Sequence, residues 1–482
     1  MIQKGRMQNI NILNQSSAIL LTIFISILFL ILGIIYSRKY QGINNYLVAN
    51  RSVETFSLTT SLVASALGAW ILFGPASAAT WGGIGAVIGY ALGTAFPLFI
   101  LIYLGEKIRK NFSKCKTLIE VIRIKFGLKL FKLILFLSIF YMTIFLIAEV
   151  TAVSILIKYI SGTSLWITAF IIIFTSLIYT LYGGLRASIF TDNIQFIILI
   201  LLLIIVLNHL ISSNSNQFNF EFIQLNKPEL LSFNYLPNFT AGITFFIAVA
   251  ATNLFHQGNW QRVYAAKDKK VLKKSLIFSF LIIIPIVFFM GFSGLIAVSE
   301  NQNVMPDLAF FSLLLKDQVL ILSIIIILLA ISLTISSIDT LINAISSLVI
   351  VDGKKIIKFR GNYLNLSKVF HNFFVNHCFL CASKGFSILY LFLLADLFCC
   401  AAVITIFISF YNNSIKEKNA YISIIFGLFV GLLLFPSPDF SKSILVGILF
   451  PLNLFPAFMT QSLLFLSFFL ATFSPILVWK IK

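Results

Sequence analysis

The chain has 482 residues, of which 59% are apolar and only 11% charged, and its mean hydropathy is +1.01. Soluble proteins carry about 25% charged residues, so the composition excludes a soluble enzyme, and five cysteines give no disulfide framework. The net charge of +19 is a reason to consider nucleic acid as a partner, and the placement of the basic residues tests that idea.

A helix needs about 20 mostly apolar residues to cross the bilayer core. Thirteen segments are predicted to do so: 17–36, 57–80, 82–104, 133–157, 164–182, 190–212, 239–261, 275–298, 318–350, 368–384, 386–410, 420–436 and 457–479. The first is too long for a signal-peptide core and lacks a small-residue cleavage site, so it is expected to be retained. The fold class is therefore predicted as an all-α integral membrane protein with about thirteen transmembrane helices.

The basic residues indicate an orientation. With the N-terminus outside and thirteen spans, 28 of the 35 Lys and Arg residues fall in segments on the inner side. Cytoplasmic loops carry such an excess, so we expect the C-terminus in the cytoplasm and the protein in a bacterial inner membrane. This accounts for the positive charge, and no nucleic-acid partner is expected.

The basic segment 107–132 contains a short amphipathic pattern at 117–123, which reads TLIEVIR. Two interpretations stand: an interfacial helix lying on the inner leaflet, or a helix in a solvated loop.

Four acidic residues fall within or at the edges of spans: Glu149, Asp192, Asp339 and Asp396. Ionisable groups in a bilayer are costly and usually functional. No Lys or Arg is predicted deep in a span, so these carboxylates are expected to lack basic partners, as suits a protein that handles cations or protons. The alternative is that each accepts hydrogen bonds from helix ends or polar neighbours.

The second span contains the small residues of segment 64–69, followed by Trp70 and by Gly74-Pro75. Small residues, Gly and Pro in mid-span favour local unwinding, which lipid permits only where the freed backbone lines a cavity. Unwound carbonyl groups can bind Na⁺. Close packing of neighbouring helices is the alternative explanation for the small residues.

The ninth span is unusually polar. Ser336, Ser337, Thr340 and Asn343 recur at steps of three and four residues and share a helix face. Hydroxyl oxygens are hard ligands of the type that Na⁺ prefers. The alternative is that they bond back to carbonyl groups of their own helix.

A group of histidines and cysteines in the tenth span imitates a metal cluster: His371, His377, Cys378 and Cys381. A soft-metal site is conceivable there, but a polar helix that lines a cavity is favoured, and no transition metal is expected.

The segment 182–195, which reads YGGLRASIFTDNIQ, resembles the signature of the sodium/solute symporter family, which contains proline, pantothenate, urea and sugar symporters. Three further segments look similar to family motifs: 45–51, 260–268, and Ser336-Ser337 ahead of Asp352. The matches extend from about residue 45 to residue 436.

The resemblance implies a LeuT-type fold with two inverted five-helix repeats. In a single transmembrane domain, 1–482, these would be 57–212 and 239–411, with an extra first helix at 17–36 and extra C-terminal helices at 420–479. Carried over by position, the family's sodium site corresponds to the carbonyl groups of Ala64, Leu67 and Leu333 and the hydroxyl groups of Ser336 and Ser337. Asp192 matches the signature aspartate on the inward ion path, and we add Asp339 as an ion-path or gating residue.

The chain also departs from the family pattern. Ala66 stands where some members have an aspartate, which disfavours proline, and His256-Gln257 replaces the usual Asp-Gln. The segments 68–75, 148–151 and 390–396 look more like a urea-transporter-like branch. The candidate residues for the solute cavity are Ala66, Gly68, Trp70, Glu149, His256 and Gln257.

The leading hypothesis is uptake of a small polar solute, such as urea, proline or another amino acid, driven by Na⁺. The expected partners are Na⁺, the solute and the lipid bilayer. A second hypothesis is a proton-coupled transporter with Glu149 or Asp396 as the carrier. A third is a non-transporting membrane sensor, which the short segment after the last span disfavours. An enzyme is not expected, because no metal-spaced cluster or nucleophile motif is present.

Overall fold

The computed structural model describes residues 10–40, 42–213, 218–356, 376–412 and 414–480. Within these ranges the chain is helical, and extended segments pair only in isolated bridges, such as Val53 with Ala266. The α-helices are α1 (Gln15–Ser37), α2 (Ile43–Val48), α3 (Thr55–Ala66), α4 (Gly74–Asn111), α5 (Leu118–Phe126), α6 (Leu128–Ser161), α7 (Leu165–Ser213), α8 (Phe220–Asn226), α9 (Leu236–Phe255), α10 (Gln257–Ala265), α11 (Lys269–Glu300), α12 (Ala309–Leu314), α13 (Leu320–Val351), α14 (Ile388–Ser409), α15 (Glu417–Leu434), α16 (Ala457–Gln461) and α17 (Leu463–Lys480). Residues 376–382 are also helical.

The long helices have the length and composition of membrane spans. In the described part of the chain, nine helices are long and apolar enough to cross a bilayer. The outer surface keeps large apolar side chains exposed, for example Leu201 and Ile204 on α7 and Phe429 on α15. Water would penalise such a surface, whereas lipid tails accept it. The chain is therefore an integral membrane protein. Of the predicted tenth span, 368–384, residues 368–375 lie outside the described residues, and residues 376–382 are helical.

Two helices near the centre of the molecule are interrupted. The first stops at Ala66, passes through Leu67 and an extended Gly68 (φ −80°, ψ −176°), and resumes at Gly74. The second stops at Phe255, turns at His256 (φ −58°, ψ 109°), and resumes as α10. The unwinding expected around residues 64–75 is thus present, and a second break follows it later in the chain.

Two glycines bend long helices where the sequence predicted a boundary between spans. Gly83 in α4 (φ 55°, ψ −154°) and Gly184 in α7 (φ 59°, ψ −158°) have left-handed backbones, which other residues adopt only with strain. A Cβ atom on Gly184 would also lie 2.4 Å from the ring of Tyr46. The segments on either side therefore differ in direction although the chain stays helical.

Small residues also let α4 approach α9 and α11. A Cβ atom on Gly85 would lie 1.9 Å from the carbonyl oxygen of Asn238, and one on Gly294 would lie 2.2 Å from that of Ala76. Close packing of small residues is a main source of helix association in lipid. Close packing by small residues is thus present at Gly85 and Gly294, which lie outside the segment 64–69 where the helix unwinds.

The amphipathic segment 117–123 is helical, as both interpretations expected. Helix α5 begins there, and Leu118, Ile119, Val121 and Ile122 are all buried against the rest of the protein. Protein therefore covers the apolar face of the helix. Its apolar face packs on the side of the protein that carries the basic segment 107–132. We name this side the basic face.

Candidate functional site

The residues expected to bind sodium come from two helices that meet at the first break. Ala64 and Leu67 lie at the end of α3, and because Gly68 is extended, the last carbonyl groups of α3 lose their helical partners. Leu333, Ser336 and Ser337 lie in the middle of α13, where all three are buried. Backbone and hydroxyl oxygens thus approach one region from both helices.

Gly68 lies between α6 and α13. A Cβ atom on this residue would lie 2.3 Å from both Glu149 Oε1 and Ser337 Oγ. Only a residue without a side chain leaves room for the carboxylate and the hydroxyl at this point. The break in α3 therefore brings the predicted ion site and one of the membrane carboxylates next to each other.

Glu149 is completely buried on α6, and its two oxygens differ. Oε2 accepts a hydrogen bond of 2.8 Å from the Ala69 amide, so the carboxylate satisfies the interrupted helix. Oε1 has no hydrogen-bond partner among the described residues. A buried, unpaired carboxylate oxygen costs free energy, and it is a place where a cation or a hydrogen-bond donor can bind.

A cavity of about 50 Å³ opens beside Glu149. A single water needs roughly 10–15 Å³ of such space, so the cavity can hold a solute of a few heavy atoms. It is lined by Ser65, Ala66, Trp70, Tyr90, Phe145, Glu149, Val249, Thr252, Asn253, His256, Asn259, Ser337, Leu341, Phe392 and Asp396. Of the expected cavity residues, Ala66, Trp70, Glu149 and His256 line it, and Gly68 lies directly behind Glu149.

Gln257 lies elsewhere, although the sequence suggested the cavity. Its Oε1 accepts a hydrogen bond of 3.2 Å from the Leu118 amide at the start of α5, and its Nε2 donates to Ser347 at 3.4 Å. The turn at His256 directs the next side chain away from the cavity and towards the basic face. Gln257 therefore joins α10 to α5 and α13.

Asp192 has a basic partner, which corrects the expectation that the membrane carboxylates lack one. Arg262, predicted in a loop after the seventh span, lies on α10, and its Nη2 donates to Asp192 Oδ2 at 2.7 Å. Neither side chain is exposed to solvent. The charge count missed this pair because hydropathy assigns an arginine at the end of an apolar run to the adjoining loop.

The Asp192–Arg262 pair connects four helices. Ser61 on α3 donates to Asp192 Oδ2 at 2.5 Å, and Ser336 on α13 donates to Oδ1 at 2.7 Å. The Nε of Arg262 donates in turn to the Ser61 hydroxyl at 2.8 Å, and its Nη2 donates to Thr340 at 3.0 Å. The predicted sodium ligand Ser336 is thus bonded directly to the signature aspartate.

Asp339 lies one turn further along the face of α13 that packs against α7. Its Oδ1 accepts from Ser188 at 2.9 Å and its Oδ2 from Thr191 at 3.3 Å, both on α7. Thr191 and Asp192 both belong to the motif that resembles the family signature. The motif therefore packs along α13 through two neighbouring carboxylates.

The basic face is closed by a second polar network, which the sequence did not reveal. Thr117 at the start of α5 donates to Asp352 Oδ2 at 2.7 Å, and Lys355 donates to Glu120 Oε1 at 2.8 Å. Arg109 donates to the Ala266 carbonyl at 2.8 Å. These contacts join the end of α13 to α5, and the segment after α10 to α4.

The histidines and cysteines of the predicted tenth span are only partly described. His371 lies outside the described residues, Cys378 is buried and Cys381 is half-buried. In the ranges that the structure covers, no three His, Cys, Asp or Glu side chains are grouped so that they could hold a metal ion.

A sequence model described as the sodium:solute symporter family matches residues 46–427. The chain belongs to the sodium:solute symporter family. The match covers the interrupted helices, the Asp192 motif and the polar helix α13, and it agrees with the resemblance found in the sequence.

Curated relatives of this chain are distant. The spermidine transporter DUR31 of Candida albicans is 26% identical over 59% of this chain and 54% of its own length. Sodium/glucose cotransporter 1 of Ovis aries is 26% identical over 38% of this chain and 28% of its own length. Solute carrier family 5 member 4 of Rattus norvegicus is 32% identical over 33% of this chain and 24% of its own length. The chain thus spans about half the length of the first relative and about a quarter of the other two.

Solved structures show the fold. A Na⁺-coupled sialic acid symporter in a substrate-bound outward-open state superposes with a TM-score of 0.73 at 16% identity, over 96% of this chain and 97% of that chain. Mhp1, a nucleobase-cation-symport-1 family transporter, superposes with a TM-score of 0.57 at 14% identity, over 90% and 94%. The predicted all-α, LeuT-type membrane fold is confirmed.

Proposed function

We propose that the protein is a secondary active transporter that couples the inward movement of Na⁺ to uptake of a small polar solute. The observation that carries this proposal is the set of neutral oxygens where α3 ends against α13. Carbonyl groups of Ala64, Leu67 and Leu333 and the hydroxyl oxygens of Ser336 and Ser337 would hold the ion. Such hard, uncharged donors suit Na⁺, and the family and the sialic acid symporter agree with it.

The hydrogen bond from Ser336 to Asp192 supports this assignment. Because the Ser336 hydroxyl gives its proton to Asp192 at 2.7 Å, the lone pairs of its oxygen remain for a cation. A bound Na⁺ would be attracted to Asp192 and repelled by Arg262. Its arrival would therefore act on the contacts that attach α10 to α3, and this is how we propose that ion binding reaches the second broken helix.

Solute would bind in the adjoining cavity. Glu149 contacts the unwound segment through Ala69, and Gly68 separates Glu149 from Ser337. Solute and ion would therefore share the unwound segment, and each would help to order it for the other. Such sharing gives positive coupling between two ligands, which holds in both directions.

The membrane potential supplies enough free energy for accumulation. One Na⁺ entering across 100 mV contributes about 2.3 kcal/mol, and about 1.4 kcal/mol corresponds to a tenfold ratio. We further propose that the basic face lies in the cytoplasm, with the N-terminus outside, because 28 of 35 basic residues then fall on the inner side.

The relatives do not agree on a solute, since their names include spermidine and glucose. The direct test is uptake into proteoliposomes of a panel containing urea, proline, glucose and spermidine, with and without an inward Na⁺ gradient. Accumulation of one solute only with Na⁺ is the expected result. Uptake that follows a proton gradient and ignores Na⁺ would favour the proton-coupled alternative, for which the unpartnered oxygen of Glu149 is the candidate carrier.

A further inference from the structure

The cavity beside the first break has an unusual electrostatic character. Two carboxylates line it, Glu149 from α6 and Asp396 from α14, and among the described residues no Lys or Arg lines it. Arg262 is not among the lining residues and pairs with Asp192. Two ionised carboxylates buried together without a Lys or Arg partner would be costly, so a positively charged occupant would lower their free energy.

Each carboxylate keeps an oxygen for such an occupant. Glu149 is completely buried, and its Oε1 has no partner among the described residues. Among the described residues Asp396 accepts one hydrogen bond of 2.6 Å, from Thr252 to Oδ1. The cavity is therefore more than an acidic cluster, because one of its lining residues, Glu149, has a buried oxygen without a partner in the described part of the chain.

The neutral polar groups of the cavity also present acceptors. The amide nitrogen of Asn253 donates to the Val249 carbonyl at 2.9 Å, and that of Asn259 donates to the Asn253 carbonyl at 2.9 Å. Each of these amides uses one of its two N–H groups in this way, and its oxygen accepts no hydrogen bond from the described residues, so that oxygen is available to a ligand. Ser65 likewise gives its proton to the Leu62 carbonyl at 3.3 Å. A lining of this kind selects a solute that carries several N–H donors.

Aromatic rings complete the walls. Trp70 stacks on Tyr90 with ring centres 5.9 Å apart, and Phe145 contacts Phe392 edge-on with ring centres 4.7 Å apart. The faces of aromatic rings attract organic cations and also pack against methylene groups. They are poor ligands for Na⁺, so the rings favour an organic cation over a second metal ion.

We propose that the solute is a small alkyl amine in its ammonium form, whose charged group binds between Glu149 and Asp396. Its N–H groups donate to the two carboxylates and to the amide oxygens of Asn253 and Asn259. Its methylene groups lie against the four rings. This assignment names the solute class of the proposed symport and rests on the proposed function for its direction and driving force.

The test uses the full-length protein, purified in detergent, and two probes of matched shape: 1,4-diaminobutane and its uncharged analogue 1,4-butanediol. Binding is measured by calorimetry. The diamine is expected to bind at least tenfold more tightly than the diol. Glu149→Gln and Asp396→Asn are each expected to weaken diamine binding at least tenfold and to leave diol binding unchanged.

Asp307→Asn is the matched control, because that carboxylate accepts a hydrogen bond from Ser77 outside the cavity. It should leave diamine binding unchanged. Equal binding of diamine and diol, or unchanged diamine binding in both cavity variants, would overturn the assignment. So would competition between Na⁺ and the diamine, because the carboxylates would then belong to an ion site. If a cavity variant does not fold, the comparison of the two probes on the natural protein still decides.

Uptake into proteoliposomes separates this assignment from the proposed function. Carboxylate-dependent diamine binding without any effect of Na⁺ on uptake would retain the solute class and reject Na⁺ coupling. Na⁺-driven uptake of urea, proline or glucose without diamine binding would retain Na⁺ coupling and reject the solute class. Absence of both binding and uptake would reject both.

Discussion

The guanidinium of Arg262 lies 2.7 Å from the carboxylate of Asp192, and neither side chain reaches solvent. Ser61, Ser336, Thr340 and the Gly258 carbonyl group form further hydrogen bonds with the pair. A buried pair is expensive to desolvate, and the loss of one member leaves an uncompensated charge. The pair therefore connects the stability of the protein to the helices that form the proposed ion site.

Arg262→Ala is expected to destabilise the protein by about 3–5 kcal/mol, because Asp192 would stay buried without its partner. The double variant Asp192→Asn, Arg262→Met removes both charges and should recover part of this loss. Thermal unfolding in detergent measures both effects. Lys267→Ala is the matched control, since its pair with Glu54 is exposed and such pairs contribute about 0–1 kcal/mol. Equal destabilisation by Arg262→Ala and Lys267→Ala would contradict the expectation.

Ser337→Ala is expected to raise the Na⁺ concentration for half-maximal uptake about tenfold. The variant removes one hydroxyl ligand of the ion, and a bond to a charged group is worth about 1.5–3 kcal/mol. Uptake measured against Na⁺ concentration in proteoliposomes gives the value. Ser323→Ala removes a hydroxyl from the same helix that bonds only to the Val319 carbonyl, and it should leave the Na⁺ dependence unchanged. A similar Na⁺ dependence in both variants would mean that the ion binds elsewhere.

Gly68→Ala is expected to reduce uptake at least tenfold while the protein still folds. The added methyl group would meet Glu149 Oε1 and Ser337 Oγ at 2.3 Å, so the carboxylate and the hydroxyl would have to move away from the cavity and the ion site. Gly353→Ala provides the control, because its nearest neighbours would be 3.9 Å away. Size-exclusion profiles check folding, and normal uptake by a folded Gly68→Ala protein would refute the close contact.

Cys115 offers a probe of closure at the basic face. Burial, with Glu120 nearby, raises the pKa of its thiol to about 11, so at pH 8 nearly all of it is protonated and unreactive. The rate of maleimide labelling should therefore rise about tenfold for each pH unit between 8 and 10, whereas an ordinary thiol approaches its plateau above pH 9. Comparison with the Cys115→Ser variant isolates this site. Rapid labelling at pH 8 would show that α5 does not cover it.

The sequence alone determined the membrane character, the approximate spans, the break near Gly68 and the polar face of α13. These are local properties: apolar length, small residues and periodicity along one helix. The motif around Asp192 also identified the family, since its fixed positions lie within 14 residues.

Only the tertiary structure decided which groups meet. Arg262 reads as a loop residue because hydropathy cannot show that α10 turns back into the protein, where a carboxylate on α7 offsets its charge. From the sequence, helix α5 is interpreted as a surface helix, because its amphipathic pattern does not reveal whether lipid, water or protein covers its apolar face. Glu149 and Asp396 lie far apart in the sequence, yet both line one cavity. The character of that cavity results from helix packing across the whole chain, which no local pattern contains.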